Sequence, residues 1–124
     1  MTKEELQGLG FRRAGAIGDF PERMGKLVHL GSAEIAVFRT TEGQVYALEN
    51  RSPGPRGGTI VDGIVSGDVL FDPICDWRIG LADGTVRAPD RGQVAVYPVR
   101  ILDGDVYLGP EPDPGPRGSA AEAD

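Results

Sequence analysis

Short apolar stretches separated by turn residues follow one another along most of the chain. They cover residues 11–17, 26–30, 33–40, 44–49, 68–71, 77–81, 94–101 and 105–108. Gly31-Ser32 is a two-residue hairpin signal, and Asp83-Gly84 and Asp103-Gly104 mark two more tight turns. Many short strands at close spacing predict an all-β fold, an antiparallel sandwich or barrel.

A helical period is almost absent from the sequence. Only residues 2–6 favour a short helix, because Thr2 and Glu5 have the spacing of a capping box. We therefore expect an N-terminal segment (1–10) with this helix, a β domain (11–108) and a tail (109–124). The tail contains four Pro, three Gly and no large apolar side chain, so we expect it to be disordered.

The composition of the chain excludes several kinds of binding site and partner. One Cys and one His among 124 residues exclude an internal disulfide and an ordinary His/Cys metal site. The net charge of −6, half of it in the tail, argues against nucleic acid or an anionic membrane as partner. No apolar run approaches the ~20 residues of a membrane span and no signal peptide begins the chain, so we expect a cytoplasmic protein.

Two longer loops interrupt the regular succession of short strands and turns. Residues 50–63 read NRSPGPRGGTIVDG, and residues 72–78 read DPICDWR with the only Cys and the only Trp. Long loops in a compact β domain are usually functional or disordered. No residue set in the chain has the pattern of a catalytic group, so we predict no catalytic residue and look to these loops for binding.

The two loops resemble those of a Rieske domain. The first follows YALEN, the second comes about twenty residues later, and a W-R-x-x-L-x-x-G pattern begins at Trp77. The resemblance implies a Rieske-like antiparallel β-sandwich or barrel, with the two loops at its cluster-binding tip. Rieske domains hold a [2Fe–2S] cluster by Cys-x-His in the first loop and Cys-x-x-His in the second.

The resemblance places the four ligand positions on residues that lack the required donors. They are Ser52, Gly54 (or Pro55, since the first loop is one residue longer than usual), Asp72 and Cys75. Because Ser, Gly or Pro, and Asp supply neither a thiolate nor an imidazole, we expect a scaffold that binds no cluster and no metal. We also expect Asp72 to form a salt bridge with a loop arginine in place of the cluster.

Among cluster-free Rieske-like domains, the chain resembles the small subunit of cytoplasmic NAD(P)H-dependent nitrite reductase. The similar segments are Asn50-Arg51-Ser52-Pro53, Gly63-Ile64-Val65 and Val96-Tyr97-Pro98-Val99-Arg100. The resemblance implies an accessory, non-catalytic role in reducing nitrite to ammonia, beside a large subunit that carries FAD, a [4Fe–4S] cluster and siroheme. The alternative is a free-standing binding module of another oxidoreductase system, without electron transfer.

Several loop residues are open to two interpretations. Arginine and aromatic side chains are enriched at protein interfaces, so we list as a hypothetical partner interface Arg51, Pro53, Arg56, Trp77 and Arg78. The arginines are equally interpreted as solvated loop residues, and Trp77 as a core residue beneath the second loop. Cys75 is a reactive thiol or a substituted ligand position, and the second interpretation is favoured because Asp76 beside it does not promote a thiolate.

Overall fold

A computed structural model describes residues 1–112 of the chain. They form one short helix, α1, one 3₁₀ turn and ten β-strands, numbered in chain order. The helix is Lys3–Gly8, and the 3₁₀ turn is Ile17–Asp19. The strands are β1 Arg12–Ala16, β2 Gly25–Leu30, β3 Ala33–Arg39, β4 Val45–Glu49, β5 Ile64–Ser66, β6 Val69–Phe71, β7 Arg78–Gly80, β8 Val96–Tyr97, β9 Val99–Leu102 and β10 Asp105–Leu108.

The strands form three antiparallel sheets. The central sheet has the order β2-β3-β4-β8, a second sheet has the order β1-β10-β9, and a small sheet has the order β5-β6-β7. The all-β antiparallel prediction is therefore confirmed. The capping box is confirmed too, since Thr2 Oγ1 accepts from the Glu5 amide at 3.2 Å and Glu5 Oε1 from the Thr2 amide at 2.9 Å.

The central sheet is buried on both faces. Ile35 and Val37 of β3 point into an apolar cluster shared with β10, while Ala36 and Phe38 point into a second cluster shared with the small sheet. This explains why residues 35–38 are continuously apolar, since a strand buried on both faces loses the alternation of a half-exposed one. The apolar side chain of Leu6 in α1 is buried as well.

The predicted strand over residues 94–101 is wrong in one respect. It is two strands, β8 and β9, separated at Pro98. Proline has no N–H to donate to a ladder and so interrupts it. The chain changes sheets at this point, because Leu48 of β4 pairs with Val96 of β8 while Val99 of β9 pairs with Leu108 of β10.

The predicted C-terminal tail lies only partly within the described residues. Gly109, the first residue of the predicted tail, still donates its amide to the Pro98 carbonyl at 2.9 Å. The expectation of disorder for residues 113–124 lies outside the described residues. Within residues 1–112, no helix has the length and apolar character needed to cross a membrane.

Candidate functional site

Three loops meet at one end of the molecule, which we call the tip. They are the first loop (50–63), the second loop (72–78) and a third loop (87–93) that sequence reasoning missed. Arg51 Nη2 donates to the Gln93 carbonyl at 3.1 Å, and Arg78 Nη2 donates to the Ala88 carbonyl at 3.2 Å. One arginine from each predicted loop therefore ties it to the third. The only signal for this loop was the turn-rich sequence RAPDRGQ.

The first loop is closed on itself at its base. The side-chain oxygen of Asn50 accepts from the amides of Ile60 at 3.0 Å and Val61 at 2.9 Å. Further along, the Ser52 amide donates to the Gly58 carbonyl at 2.8 Å. A long loop with few strand partners is thus ordered by one asparagine that replaces missing ladder bonds.

The second loop is a tight turn built around Asp72. The Asp72 amide donates to the Trp77 carbonyl at 2.8 Å, and the Asp76 amide donates to the Asp72 carbonyl at 2.9 Å. Asp72 Oδ1 also accepts from the Ile74 amide at 2.7 Å. Asp76 has a φ of 61°, a left-handed conformation that aspartate tolerates better than most residues.

A buried hydrogen bond joins the first two loops. Ser52 Oγ donates to Asp72 Oδ2 at 2.6 Å, and Ser52 is 2% and Asp72 0% exposed. Ser52 Oγ accepts in turn from the Gly54 amide at 3.2 Å. We call the Ser52–Asp72 contact the bridge; it links residues twenty positions apart in the sequence.

The predicted salt bridge between Asp72 and a loop arginine is wrong. Asp72 lies beneath the loops, where its two carboxyl oxygens are engaged by Ser52 and Ile74. Arg51 instead pairs with Glu49, with Nε 3.2 Å from Oε2, and its side chain is half exposed. A guanidinium reaching Asp72 would have to be buried beside it, and burial of a charged group is costly.

Cys75 occupies the remaining space between the loops. A Cβ added to Gly54 would lie 2.8 Å from Cys75 Sγ, so the thiol fills the volume into which a side chain at position 54 would project. Burial, with the nearby Asp72 carboxylate adding to it, raises the pKa of the Cys75 thiol. The thiol is therefore neither a ready nucleophile nor a ready metal ligand at neutral pH.

The five predicted interface residues differ in exposure. Trp77 is half buried and packs against the apolar cluster beneath the small sheet, and Pro53 is also half buried. The three arginines, Arg51, Arg56 and Arg78, are exposed at the tip. The loops of the tip thus carry three exposed arginines, and Trp77 is largely a packing residue.

The single histidine of the chain is not at the tip. The single histidine, His29, is on β2, where its Nε2 lies 3.9 Å from Glu34 Oε2 across the first hairpin. Within residues 1–112 no three His, Cys, Asp or Glu side chains are grouped as metal ligands.

The fold and the loops of the tip define a class of protein. The family model described as "Rieske-like [2Fe-2S] domain" matches residues 11–109, and the chain belongs to this family. A ferredoxin of carbazole 1,9a-dioxygenase from Nocardioides aromaticivorans superposes with a TM-score of 0.70 over 82% of this chain and 98% of its own, at 16% identity, which shows the shared fold alone.

Closer relatives come from nitrite reductases, and the chain is homologous to their small subunit. A Mycobacterium tuberculosis protein described as an NADH-dependent nitrite reductase small subunit matches with a TM-score of 0.72 and 27% identity over 79% of this chain and 92% of its own. The Escherichia coli protein NirD matches with a TM-score of 0.69 and 25% identity, over 79% of this chain and 94% of its own.

A curated relative carries the similar segment within a longer polypeptide. The nitrite reductase [NAD(P)H] large subunit of Klebsiella oxytoca is 36% identical in an alignment of 96 positions that covers 72% of this chain. The chain spans only 10% of that relative's length.

The residues at the tip do not fit the cluster for which the family is named. A Rieske centre takes two Cys on one iron and two His on the other. Here Ser52 and Asp72 are hydrogen-bonded to each other, and the thiol of Cys75 fills the space beside Gly54. The donor set contains one thiol with a raised pKa and no imidazole, so no electron-transfer step follows from these residues.

Proposed function

We propose that this chain is a cluster-free small subunit of a cytoplasmic NAD(P)H-dependent nitrite reductase. It acts as an accessory to a large subunit that carries FAD, a [4Fe–4S] cluster and siroheme. The observation that carries the proposal is the Ser52–Asp72 bridge, which lies at two of the four positions where a Rieske domain has ligands. The homology to nitrite reductase small subunits supports nitrite reductase as the enzyme to which this chain belongs.

An accessory role follows from the electron count. Reduction of nitrite to ammonia takes six electrons, and side chains alone do not carry them, because a protein binds and tunes redox cofactors but does not replace them. With no cluster of its own, the chain supports this reaction only by binding the subunit that holds the cofactors. The Klebsiella relative supports such contact, since it joins the similar segment covalently to a large subunit.

The tip is the surface that we assign to this contact. Arg51, Arg56 and Arg78 are exposed there, and Pro53 and Trp77 are half buried in the loops that present them. The buried Ser52–Asp72 hydrogen bond holds the loops in one arrangement before binding, which reduces the ordering cost of association.

Co-expression with the nitrite reductase large subunit from the same genome tests the proposal. We expect the tagged chain to purify with the large subunit, with iron and siroheme assigned to that subunit alone. The complex should consume nitrite with NADH or NADPH, and the isolated chain should not. If the two chains do not associate, the free-standing binding module is the better account.

A pair of charge reversals tests the tip as the interface. Arg56→Glu should weaken association by about tenfold, because a favourable ionic contact becomes repulsive. Arg12→Glu is the matched control: Arg12 is an exposed arginine on β1. Equal affinity of the two variants would place the interface outside the first loop.

A further inference from the structure

The small sheet has an outer face that carries an unusual row of side chains. Its strands continue through a β-bridge between Ile79 and Val86, and the Arg87 amide donates to the Arg78 carbonyl at 2.8 Å. The buried row across these four segments is Val65, Leu70, Ile79 and Val86. The neighbouring row on the opposite face, which we call the outer row, is Ile64, Phe71, Arg78 and Arg87.

Half of the outer row is apolar and exposed. Ile64 is 52% and Phe71 39% exposed, and the two residues are direct cross-strand partners. Successive side chains of a strand point to opposite faces, so these two do not contribute to the core that Val65 and Leu70 form on the inner face. Adjacent exposed aromatic and aliphatic side chains are typical of a contact surface.

The other half of the outer row is cationic. Arg78 and Arg87 lie opposite each other on neighbouring segments, and like charges in that position destabilise a sheet. Neither forms an ion pair with a carboxylate of residues 1–112. The nearby Asp83 Oδ1 accepts from the Thr85 amide at 3.0 Å instead.

The two guanidinium groups differ in their contacts within the sheet. Arg78 Nη2 donates to the Ala88 carbonyl at 3.2 Å. The Arg87 guanidinium lies over Gly80, where a Cβ would be 2.6 Å from its Nη2 and 2.8 Å from Asp83 Oδ1. Two exposed arginines side by side in a chain of net charge −6 form a local cationic surface, which an anionic group of a partner complements.

We propose that the outer row is a docking surface for an acidic segment of the partner large subunit. Two carboxylates of that segment meet Arg78 and Arg87, and an apolar side chain beside them packs on Ile64 and Phe71. This inference rests on the proposed function and extends its interface from the loops at the tip to the outer face of the small sheet. The outer row therefore recognises a segment in which an apolar side chain lies next to two carboxylates.

Site-specific crosslinking locates the partner directly. The chain is produced with the photoreactive p-benzoylphenylalanine in place of Phe71, which keeps an aromatic ring at that position, and is irradiated in the presence of the large subunit. We expect a crosslink to a peptide that contains Asp or Glu residues. The control has the same group in place of Ile101, an exposed residue of β9 (49% exposed), and should give no such crosslink.

Charge reversal supplies an independent readout. Arg87→Glu should weaken binding of the large subunit by about tenfold and the Arg78→Glu/Arg87→Glu pair by more, while Arg12→Glu leaves affinity unchanged. Ile64→Asp provides a variant that leaves both arginines and their contacts intact, and it too should weaken binding. Circular dichroism and unfolding midpoints show that each variant is folded.

The outcomes separate this inference from the proposed function. If the wild-type chain binds the large subunit but the outer-row variants bind equally well, the outer row is not the docking surface and the proposed function stands. If the wild-type chain does not bind the large subunit at all, both fail. A crosslink from position 71 only to a second copy of this chain, or only to its own residues 113–124, also overturns the inference.

Discussion

The central sheet and the tip of this molecule are held together by different interactions. The central sheet has apolar clusters on both faces and continuous strand ladders. The tip is held by a few polar contacts of Asn50, Ser52 and Asp72, with little regular secondary structure. The β-sheets of this Rieske-like domain are thus stabilised by apolar packing, whereas its loops are joined by side-chain hydrogen bonds.

The largest effect is expected in the central sheet. Ile35→Ala removes a fully buried side chain from the cluster between β3 and β10 and should lower the free energy of unfolding by about 2–5 kcal/mol. Urea unfolding measures the change. Ile101→Ala at an exposed position of β9 is the control and should cost less than about 0.5 kcal/mol. Similar losses for both variants would contradict the assignment of the core.

The next largest effect tests the tip. Asp72→Ala leaves the buried Ser52 hydroxyl without its acceptor, and an unpaired buried polar group costs about 1–3 kcal/mol. The Ile74 amide also loses its acceptor, but Ile74 is exposed, so we expect a total loss of about 1–3 kcal/mol, with faster amide exchange in both loops. Asp62→Ala, at an exposed carboxylate, is the control and should be nearly neutral. Unchanged stability with equally ordered loops would show that Asp72 does not join them.

A smaller effect isolates the bridge itself. Ser52→Ala removes one donor to the Asp72 carboxyl and should cost about 1–2 kcal/mol, whereas Ser66→Ala at an exposed position should cost almost nothing. The double variant Ser52→Ala/Asp72→Ala completes a cycle, and its loss should fall short of the sum by about 0.5–3 kcal/mol. Strict additivity would mean that the two side chains do not interact.

The smallest effect concerns pH. Burial raises the pKa of the Cys75 thiol, so its alkylation by iodoacetamide should rise with pH along a curve whose midpoint lies above the ~8.5 of a free cysteine. Below ~8.5 the thiol is protonated in the folded and unfolded chains alike, and the group leaves stability unchanged. Above that value the unfolded chain loses its proton first, so stability falls until the pH exceeds the folded pKa. An alkylation midpoint at or below ~8.5 would show that the pKa of the Cys75 thiol is not raised.

The sequence predicted the regular part of the molecule well. Turn residues and apolar stretches located most strands, and the Thr2 and Glu5 pair located the helix cap, because these signals are local. Pro98 is a local signal for the break between β8 and β9. The change of sheet at this break depends instead on the pairing of β8 with Leu48 and of β9 with Leu108, which no local pattern predicts. Strand β5 was missed because three residues next to a glycine-rich loop give too short a pattern.

The tip was harder to predict because its chemistry depends on distant contacts. The family spacing identified Ser52 and Asp72 as positions but not as partners, and the expected arginine contact ignored the cost of burying a guanidinium beside Asp72. The third loop and Arg87 were missed because residues 87–93 carry only ordinary turn signals. Their importance appears only when the strand register places Arg87 opposite Arg78.

The iron content of the purified chain after anaerobic reconstitution with iron and sulfide tests the central claim most directly. Because Ser52 and Asp72 bind each other and Cys75 fills the space between the loops, we expect no iron above the level of a protein-free blank and no absorption or EPR signal of a Rieske centre. Iron and sulfide approaching the stoichiometry of a [2Fe–2S] cluster, with those signals, would contradict the account.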